Sequence, residues 1–501
     1  MAEGWGHIVA RDASSYDIPD FAGLGDAPLP PLLQEAWERS CDHFYGWDRQ
    51  VRHARYCCRP IRITGHVAEV DRGTGEVRTR FSTLNEPDNT LLVACGSRLR
   101  AKCPSCAFWH QGDAYQVVVT GLRGGKGMPL RVADHPKVFA TLTAPSFGAV
   151  HARRVRGGKV ERCHPRGTER CPHGRRISCT ARHREGDPEL GTPLCPECID
   201  TEAQVVWNAM APKLWHRFWT YLPRELAKLL GVTQKQLRSV VVLRMAKVAE
   251  FQRRGVVHFH AVIRIDGSAP MGSTEVAPPP AAVSLELLDR AIEAARASAF
   301  VEVPELARLG KQTRLQFGPE LDCRVIHGDG EITEEKVASY VAKYLSKGAE
   351  ELGLPTEALA EDDDIDALDT PEHIRALVWA AVKLGVRPGF GELKLRKRAH
   401  QLGFGGHFLS KSLRYSTTFK ELGEVRRRHA RREELGEEAN GLDQWGRPIA
   451  EDQVEILRSW QYLGWGYQSH GEAWLAAAAA ARAREERQNA REAMRQRRWA
   501  A

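Results

Sequence analysis

The segment VVHFHAVIRID, residues 256–266, constrains this chain more than any other. A strand alternates its side chains between two faces. Read that way, Val257, Phe259, Ala261, Ile263 and Ile265 make one apolar face, and His258 and His260 stand together on the other. The preceding VVVLRMAKVAEFQ runs into Arg253-Arg254-Gly255, a three-residue turn in which Gly255 supplies a positive φ. In the resulting hairpin Gln252 faces Val256, Glu250 faces His258 and Val248 faces His260, so Glu250 joins the histidine face. A lone H-x-H is ordinarily a pair of half-buried, hydrogen-bonded histidines. A carboxylate in register turns it into a divalent-metal site with positions left for a phosphate.

A second pattern lies in EEKVASYVAKYLSKG, residues 334–348. At about 100° per residue, Val337, Ala338, Val341, Ala342 and Leu345 form an apolar stripe, while Tyr340 and Tyr344 share the opposite side with Lys336, Lys343 and Lys347. Thr333 is placed to cap this helix, Glu334 and Glu335 suit its first turn, and Gly348 is expected to end it. Phenols set among ammonium groups are expected to ionise more easily and to sit in a phosphate-attracting field.

Eleven of the 12 cysteines precede residue 200. The N-terminus has no apolar signal segment, so a cytoplasmic chain with reduced thiols is expected, and metal binding explains the clustering better than disulfides. Cys103-Pro-Ser-Cys106 and Cys195-Pro-Glu-Cys198 each present two thiolates to one tetrahedral Zn²⁺. For the first pair the partners are Cys95 and one of Cys57 or Cys58, with Cys58 assigned. For the second they are Cys179 and His183, with Cys163, Cys171 and His173 as alternatives. Two structural zinc ions are expected.

Charge is uneven along the chain. Residues 394–432 carry twelve basic side chains against two acidic ones, and residues 153–184 carry eleven against two, inside a chain of net charge +8. Such blocks suit a polyanion, most simply DNA, and Arg396, Lys397, Arg398, Lys411 and Arg414 are the candidate contacts. GLRGGKG is one residue short of a P-loop, with Gly127 where Ser or Thr belongs, so a nucleotide-driven motor is not expected. No apolar run is long enough to span a membrane.

The order β–α–ββ–α–β–α predicts an α+β fold with a central antiparallel sheet. Expected boundaries are 1–55, an N-terminal helical and linker segment; 56–130, a zinc unit with strands that include AYQVVVTGL; 136–350, the α+β domain with a Cys/His insert at 150–200; 370–432, a basic helical DNA-binding region; and 433–501, a basic helical tail.

H-x-H on a strand followed by Y-x-x-K-Y on a helix resembles the HUH endonucleases, whose domain is built on an RRM-like or palm-type sheet. VFATLTAPSFG is similar to their first motif, HFHAVIRID to the second and SYVAKYLSK to the two-tyrosine form of the third. The wider set of CPSC, PLCPEC, VVWNA, AEFQRRGVVHFHAVIRIDG and LGFGGHFLSKSLRYSTT resembles the RepSA-like rolling-circle replication initiators of actinomycete plasmids and integrative elements, across most of residues 56–420. The resemblance implies that His258, His260 and Glu250 hold Mg²⁺ or Mn²⁺, that Tyr340 attacks origin DNA to leave a 5′-phosphotyrosine and a 3′-OH primer, that Tyr344 acts in a second transfer, and that Lys343 contacts the phosphate. It also implies a host helicase and polymerase as partners. An HUH relaxase or transposase would use the same chemistry, and a non-enzymatic zinc-containing DNA-binding regulator would use none of it.

Overall fold

A computed structural model describes residues 29–72, 74–165, 170–269, 275–306, 314–326, 332–435 and 454–499. The expected N-terminal segment up to residue 28, residues 270–274 and residues 436–453 of the expected tail lie outside the described residues.

The amino-terminal part comprises helices α1 (Pro31–Cys41) and α2 (Phe44–His53), strands β1 (Ile61–Asp71), β2 (Val77–Ser82) and β3 (Leu91–Val93), and helix α3 (Pro104–Arg123). AYQVVVTGL, expected as a strand, is the second half of α3. Pro104 opens that helix, the Cys103 sulfur accepts from the Cys106 N–H, and Ala107, Ala114, Val117, Val118, Gly121 and Leu122 are buried at helical spacing. Helical periodicity overrides the local preference of three consecutive valines for strand.

The remaining elements are β4 (Lys137–Leu142), a small hairpin of β5 (Arg154–Arg156) and β6 (Lys159–Glu161), α4 (Thr201–Leu229), α5 (Gln234–Val240), β7 (Val241–Phe251), β8 (Val257–Gly267), α6 (Leu285–Ser298), β9 (Phe300–Glu302), β10 (Arg314–Gln316), β11 (Leu321–Val325), α7 (Glu334–Leu345), α8 (Glu372–Gly385), β12 (Leu409–Lys411), α9 (Phe419–Leu435), β13 (Val454–Trp465) and α10 (His470–Trp499). The fold is mixed helix and sheet. Its centre is a five-stranded sheet in the order β11-β4-β8-β7-β12, antiparallel at every pairing.

Each face of this sheet has its own core. Val257, Phe259, Ala261, Ile263 and Ile265, all fully buried, pack with Trp207, Leu214 and Phe218 of α4 and with Ile292 of α6. Ala246, Val248 and Val262 face the other way, against Val118 and Leu122 of α3, Val337, Ala338 and Val341 of α7, and Tyr415. Burying a large aliphatic side chain stabilises by roughly 1.5–3 kcal/mol, so the alternation along β8 holds the sheet between two helical layers.

Two expected boundaries differ. Residues 370–432 are not a separate helical unit, because α8 packs on α4 and β12 forms the edge of the central sheet beside β7. The carboxy-terminal part is not wholly helical either. β13 pairs antiparallel with β1 along its length, from Ile61↔Trp465 to Asp71↔Val454, and α10 packs on α1.

Candidate active site

The β7–β8 hairpin has the register expected of it: Glu250 pairs with His258 and Val248 with His260. Gly255 closes the turn at φ +78°, and a Cβ there would fall 2.3 Å from Leu377 Cδ1, so both the conformation and the space call for glycine. VVWNA holds the hairpin from below. Trp207 Nε1 donates to Val257 O at 2.9 Å, and buried Asn208 donates to Gly255 O at 2.8 Å while accepting from Val257 N at 2.9 Å.

On this frame three donor atoms converge. Glu250 Oε2 lies 3.0 Å from His258 Nε2 and 2.9 Å from His260 Nε2, and the two ring nitrogens are 3.1 Å apart. Burial works to raise the Glu250 carboxyl, but its hydrogen bonds to both histidines outweigh that and hold it below the ordinary carboxylate range. Burial lowers His260, which favours the neutral imidazole that can ligate a metal.

Helix α7 lies across this cluster. Thr333 caps it by accepting from Lys336 N, and its buried side is Val337, Ala338, Val341, Ala342 and Leu345. The helix ends at Leu345, three residues before Gly348. Arg98 Nη1 donates to Leu345 O and Lys347 O, both at 2.8 Å, and so satisfies carbonyls left open at the helix end. Tyr340 OH lies 3.2 Å from His260 Nε2, and the Tyr340 and Tyr344 rings are 4.5 Å apart. Lys343 is exposed, with Nζ 5.7 Å from the Tyr344 ring centre.

The expected easing of tyrosine ionisation is not what this arrangement gives. Burial first, and the nearby Glu250 carboxylate second, raise both phenols above their ordinary value. Lys347, ion-paired with Glu351, still acts to lower Tyr344, but burial and Glu250 outweigh it.

Sequence reasoning missed two neighbours on β4. Thr141 pairs with His260, its Oγ1 3.0 Å from His260 Nδ1, and Phe139 stacks on the His260 ring with centres 5.6 Å apart while meeting Tyr340 edge-on. Both lie in VFATLTAPSFG. The signal was the odd-numbered alternation of that strand, which puts Phe139 and Thr141 on the histidine side.

Among the described residues the cysteine-rich part forms three groups whose ligand atoms lie within 4.8 Å of one another: Cys57, Cys95, Cys103 and Cys106; His151, Cys163, Cys179 and His183; and Cys171, His173, Cys195 and Cys198. Thiolates about 2.3 Å from a tetrahedral Zn²⁺ stand about 3.8 Å apart, and the Cys57–Cys103 and Cys171–Cys195 sulfur pairs are 3.7 and 3.5 Å apart. These groups could bind zinc. Cys58, assigned to the first group, is outside it: it is exposed and its sulfur contacts Lys102 O at 3.5 Å, because the chain turns at Tyr56 (φ +54°) so that Cys57 faces inward. Cys179 and His183 do not join Cys195 and Cys198. The bridge between His164 and Cys179 folds them back onto Cys163 and His151, leaving Cys171 and His173 to complete the other group.

Comparison with known proteins bears on this geometry. The model of the family described as "RepSA: Replication initiator protein, pSAM2" matches residues 43–481. The chain belongs to the RepSA replication initiator family. It is 39% identical over 478 residues to a Streptomyces ambofaciens protein named "Replication initiator protein", covering 94% of this chain and 97% of that one. No solved structure matches.

For a RepSA-family initiator, DNA contact at the origin follows from that role. Of the residues expected to make it, Arg396, Lys397 and Arg414 are exposed. Arg398 and Lys411 are partly buried; Lys411 donates to Ser416 O at 2.9 Å and so also holds the loop after β12. Arg396 meets Glu361 of the acidic stretch at 3.3 Å. Among the described residues no helix is long and apolar enough to cross a membrane.

Proposed function

We propose that this initiator nicks and rejoins one strand of its replication origin through an HUH-type tyrosine transesterification. The observation that carries this reading is the Tyr340 hydroxyl 3.2 Å from His260 Nε2, at the edge of the Glu250–His258–His260 cluster. Both His258 and His260 direct Nε2 at one carboxylate oxygen, a donor set that fits Mg²⁺ or, on ligand softness, Mn²⁺. When bound there, such an ion polarises the scissile phosphate and offsets its developing charge.

Tyr340 supplies the nucleophile. Its oxygen bonds to phosphorus as the bond from phosphorus to the 3′ oxygen breaks, so one phosphoester replaces another. The phenol gives up a proton and the departing 3′ oxygen takes one up, with exposed Lys343 placed to balance charge. The products are a 5′-phosphotyrosine and a free 3′-OH that primes a host polymerase. Tyr344, on the same side of α7, makes the second transfer that rejoins the strand. Unwinding is left to a host helicase, and the reaction belongs to the cytoplasm. The three Cys/His groups hold structural zinc.

The test is a covalent adduct on a single-stranded origin oligonucleotide in Mn²⁺, resolved on a denaturing gel. The wild-type protein forms it and Tyr340→Phe/Tyr344→Phe does not. An adduct with the double variant puts the nucleophile elsewhere and ends this reading.

A further inference from the structure

The sheet built on β1 has two unlike faces. Leu92, paired with Arg62, is buried against Trp47 and Val51 of α2. On the opposite face the register places Ile61 beside Trp465, Ile63 beside Tyr462, Gly65 beside Trp460, and Val67 between Arg458 and Phe81. An aromatic row therefore runs along this face, with Tyr462 and Trp465 6.2 Å apart and Phe81 and Trp460 6.0 Å apart, centre to centre. Trp460, Tyr462 and Trp465 are 38%, 55% and 48% exposed, whereas Trp207, Phe218 and Phe259 of the central core are fully buried. Contiguous apolar surface of this kind marks a binding site more often than an accident of folding.

The row is shaped for flat partners. A Cβ on Gly65 would fall 1.9 Å from Ser459 O and 3.0 Å from Trp460 Cε3, so the indole lies close against bare backbone. Arg59 stands over Trp465 at 5.7 Å while its guanidinium pairs with Glu357 at 3.0 Å, and Arg458 shares the face two residues from Trp460. No acidic side chain occupies the register rows between Trp465 and Arg458. A phosphate backbone running beside the rings complements Arg458.

We infer that this face binds single-stranded DNA, with bases stacked on Trp460, Tyr462 and Trp465 and a phosphate met by Arg458. A duplex keeps its base faces inside its own stack; an unpaired strand offers them, and stacking on aromatic rings is tolerant of sequence. The face is also tied to the tyrosine helix. β3 leads directly to Cys95, and Arg98, three residues on, donates to the last carbonyls of α7. This binding does not depend on the nicking reading.

The test uses full-length protein and a dT 20-mer, followed by fluorescence anisotropy at fixed salt. Trp460→Ala/Tyr462→Ala/Trp465→Ala is expected to bind the oligomer at least about tenfold more weakly, since each stacked base accounts for roughly 5- to 150-fold. Tyr462→Phe and Trp465→Phe keep a ring and stay near wild type. Arg458→Gln lowers the salt slope by about 0.7, the value of one neutralised phosphate on a single strand. Zinc content and far-UV circular dichroism report whether the triple variant folds; if it does not, Tyr462→Ala, at the most exposed ring, carries the test with roughly a fivefold loss. Unchanged dT affinity overturns the inference. So does a fall in mass by sedimentation that accompanies the loss of binding, which makes the face a contact between copies. Tyr340→Phe/Tyr344→Phe is expected to bind the oligomer normally, so failure of nicking and failure of this face are read separately.

Discussion

Thr141 and His260 face each other across β4 and β8, with Thr141 Oγ1 3.0 Å from His260 Nδ1. When Nε2 of a histidine ligates a metal, Nδ1 carries the proton and a hydroxyl oxygen can accept it, which fixes the ring's tautomer and orientation. Thr141→Val keeps the shape of the side chain and removes that acceptor. Mn²⁺ binding followed by calorimetry is expected to weaken roughly 10- to 100-fold, with the adduct yield falling alongside it. Unaltered Mn²⁺ affinity makes Thr141 a packing residue only.

The residues proposed to hold the metal are expected to separate chemistry from DNA binding. His258→Ala/His260→Ala should form no covalent adduct yet retain duplex origin binding, because both rings lie under α7 and not on the basic surface. Glu250→Ala should be severely impaired as well. Nicking by the double alanine variant at the wild-type rate sinks the metal assignment.

Zinc stoichiometry follows from the three Cys/His groups. Metal analysis of purified protein is expected to find close to three Zn²⁺ per chain, one for each group of four ligands. Cys57→Ser should lose one ion and lower the melting temperature, while the neighbouring Cys58→Ser should do neither. Two ions in the wild-type protein means that one group is only a set of buried thiols and imidazoles.

The exposed members of the basic block give a prediction about salt. Neutralising Arg396, Lys397 and Arg414 together is expected to weaken binding across unrelated duplexes. It should also flatten the log–log salt slope by about 0.9 for each phosphate that no longer has a cationic partner. A slope equal to wild type assigns these side chains to solvent.

Lys247 gives a prediction about pH. It is buried among Phe259 and Trp215, with its ammonium donating to His407 O at 3.1 Å, and burial lowers its pKa to about 8. A base whose folded pKa is depressed costs stability while both states are protonated, and that cost disappears as pH rises from about 8 to about 10.5. In urea melts across this window, the wild type is expected to gain roughly 3 kcal/mol relative to Lys247→Met. Parallel curves for the two proteins show that Lys247 is not the titrating group.

What could be read from the residues was whatever depends on local period. Gly255 set the turn, the turn set the register, and the register put Glu250 beside His258; the stripe of Val337, Val341 and Leu345 likewise decided which side of α7 holds the tyrosines. Longer-range choices were hidden. Cys57 and Cys58 are chemically equal neighbours, and only a backbone turn decides which faces inward. AYQVVVTGL carries strand-type residues inside a helix that tertiary packing imposes. The partner of β1 could not be found from its own sequence, because β13 lies far along the chain, its aromatic residues are exposed, and a bulge at Leu463 breaks their alternation with polar ones. The raised phenols of Tyr340 and Tyr344 depend on burial, which a helical projection does not contain.

The pairing of Asp71 with Val454 also sets when the first sheet can close during synthesis. β1 leaves the ribosome early, yet the strand that covers its edge comes from the far end of the chain. At about 5–20 residues per second, that is a delay of roughly 20 to 80 s. Through that interval the growing chain presents an open strand edge, which is a site for aggregation. A message broken before β13 yields a chain that carries the whole tyrosine site but never closes its first sheet. An initiator with its first sheet closed therefore requires translation through β13.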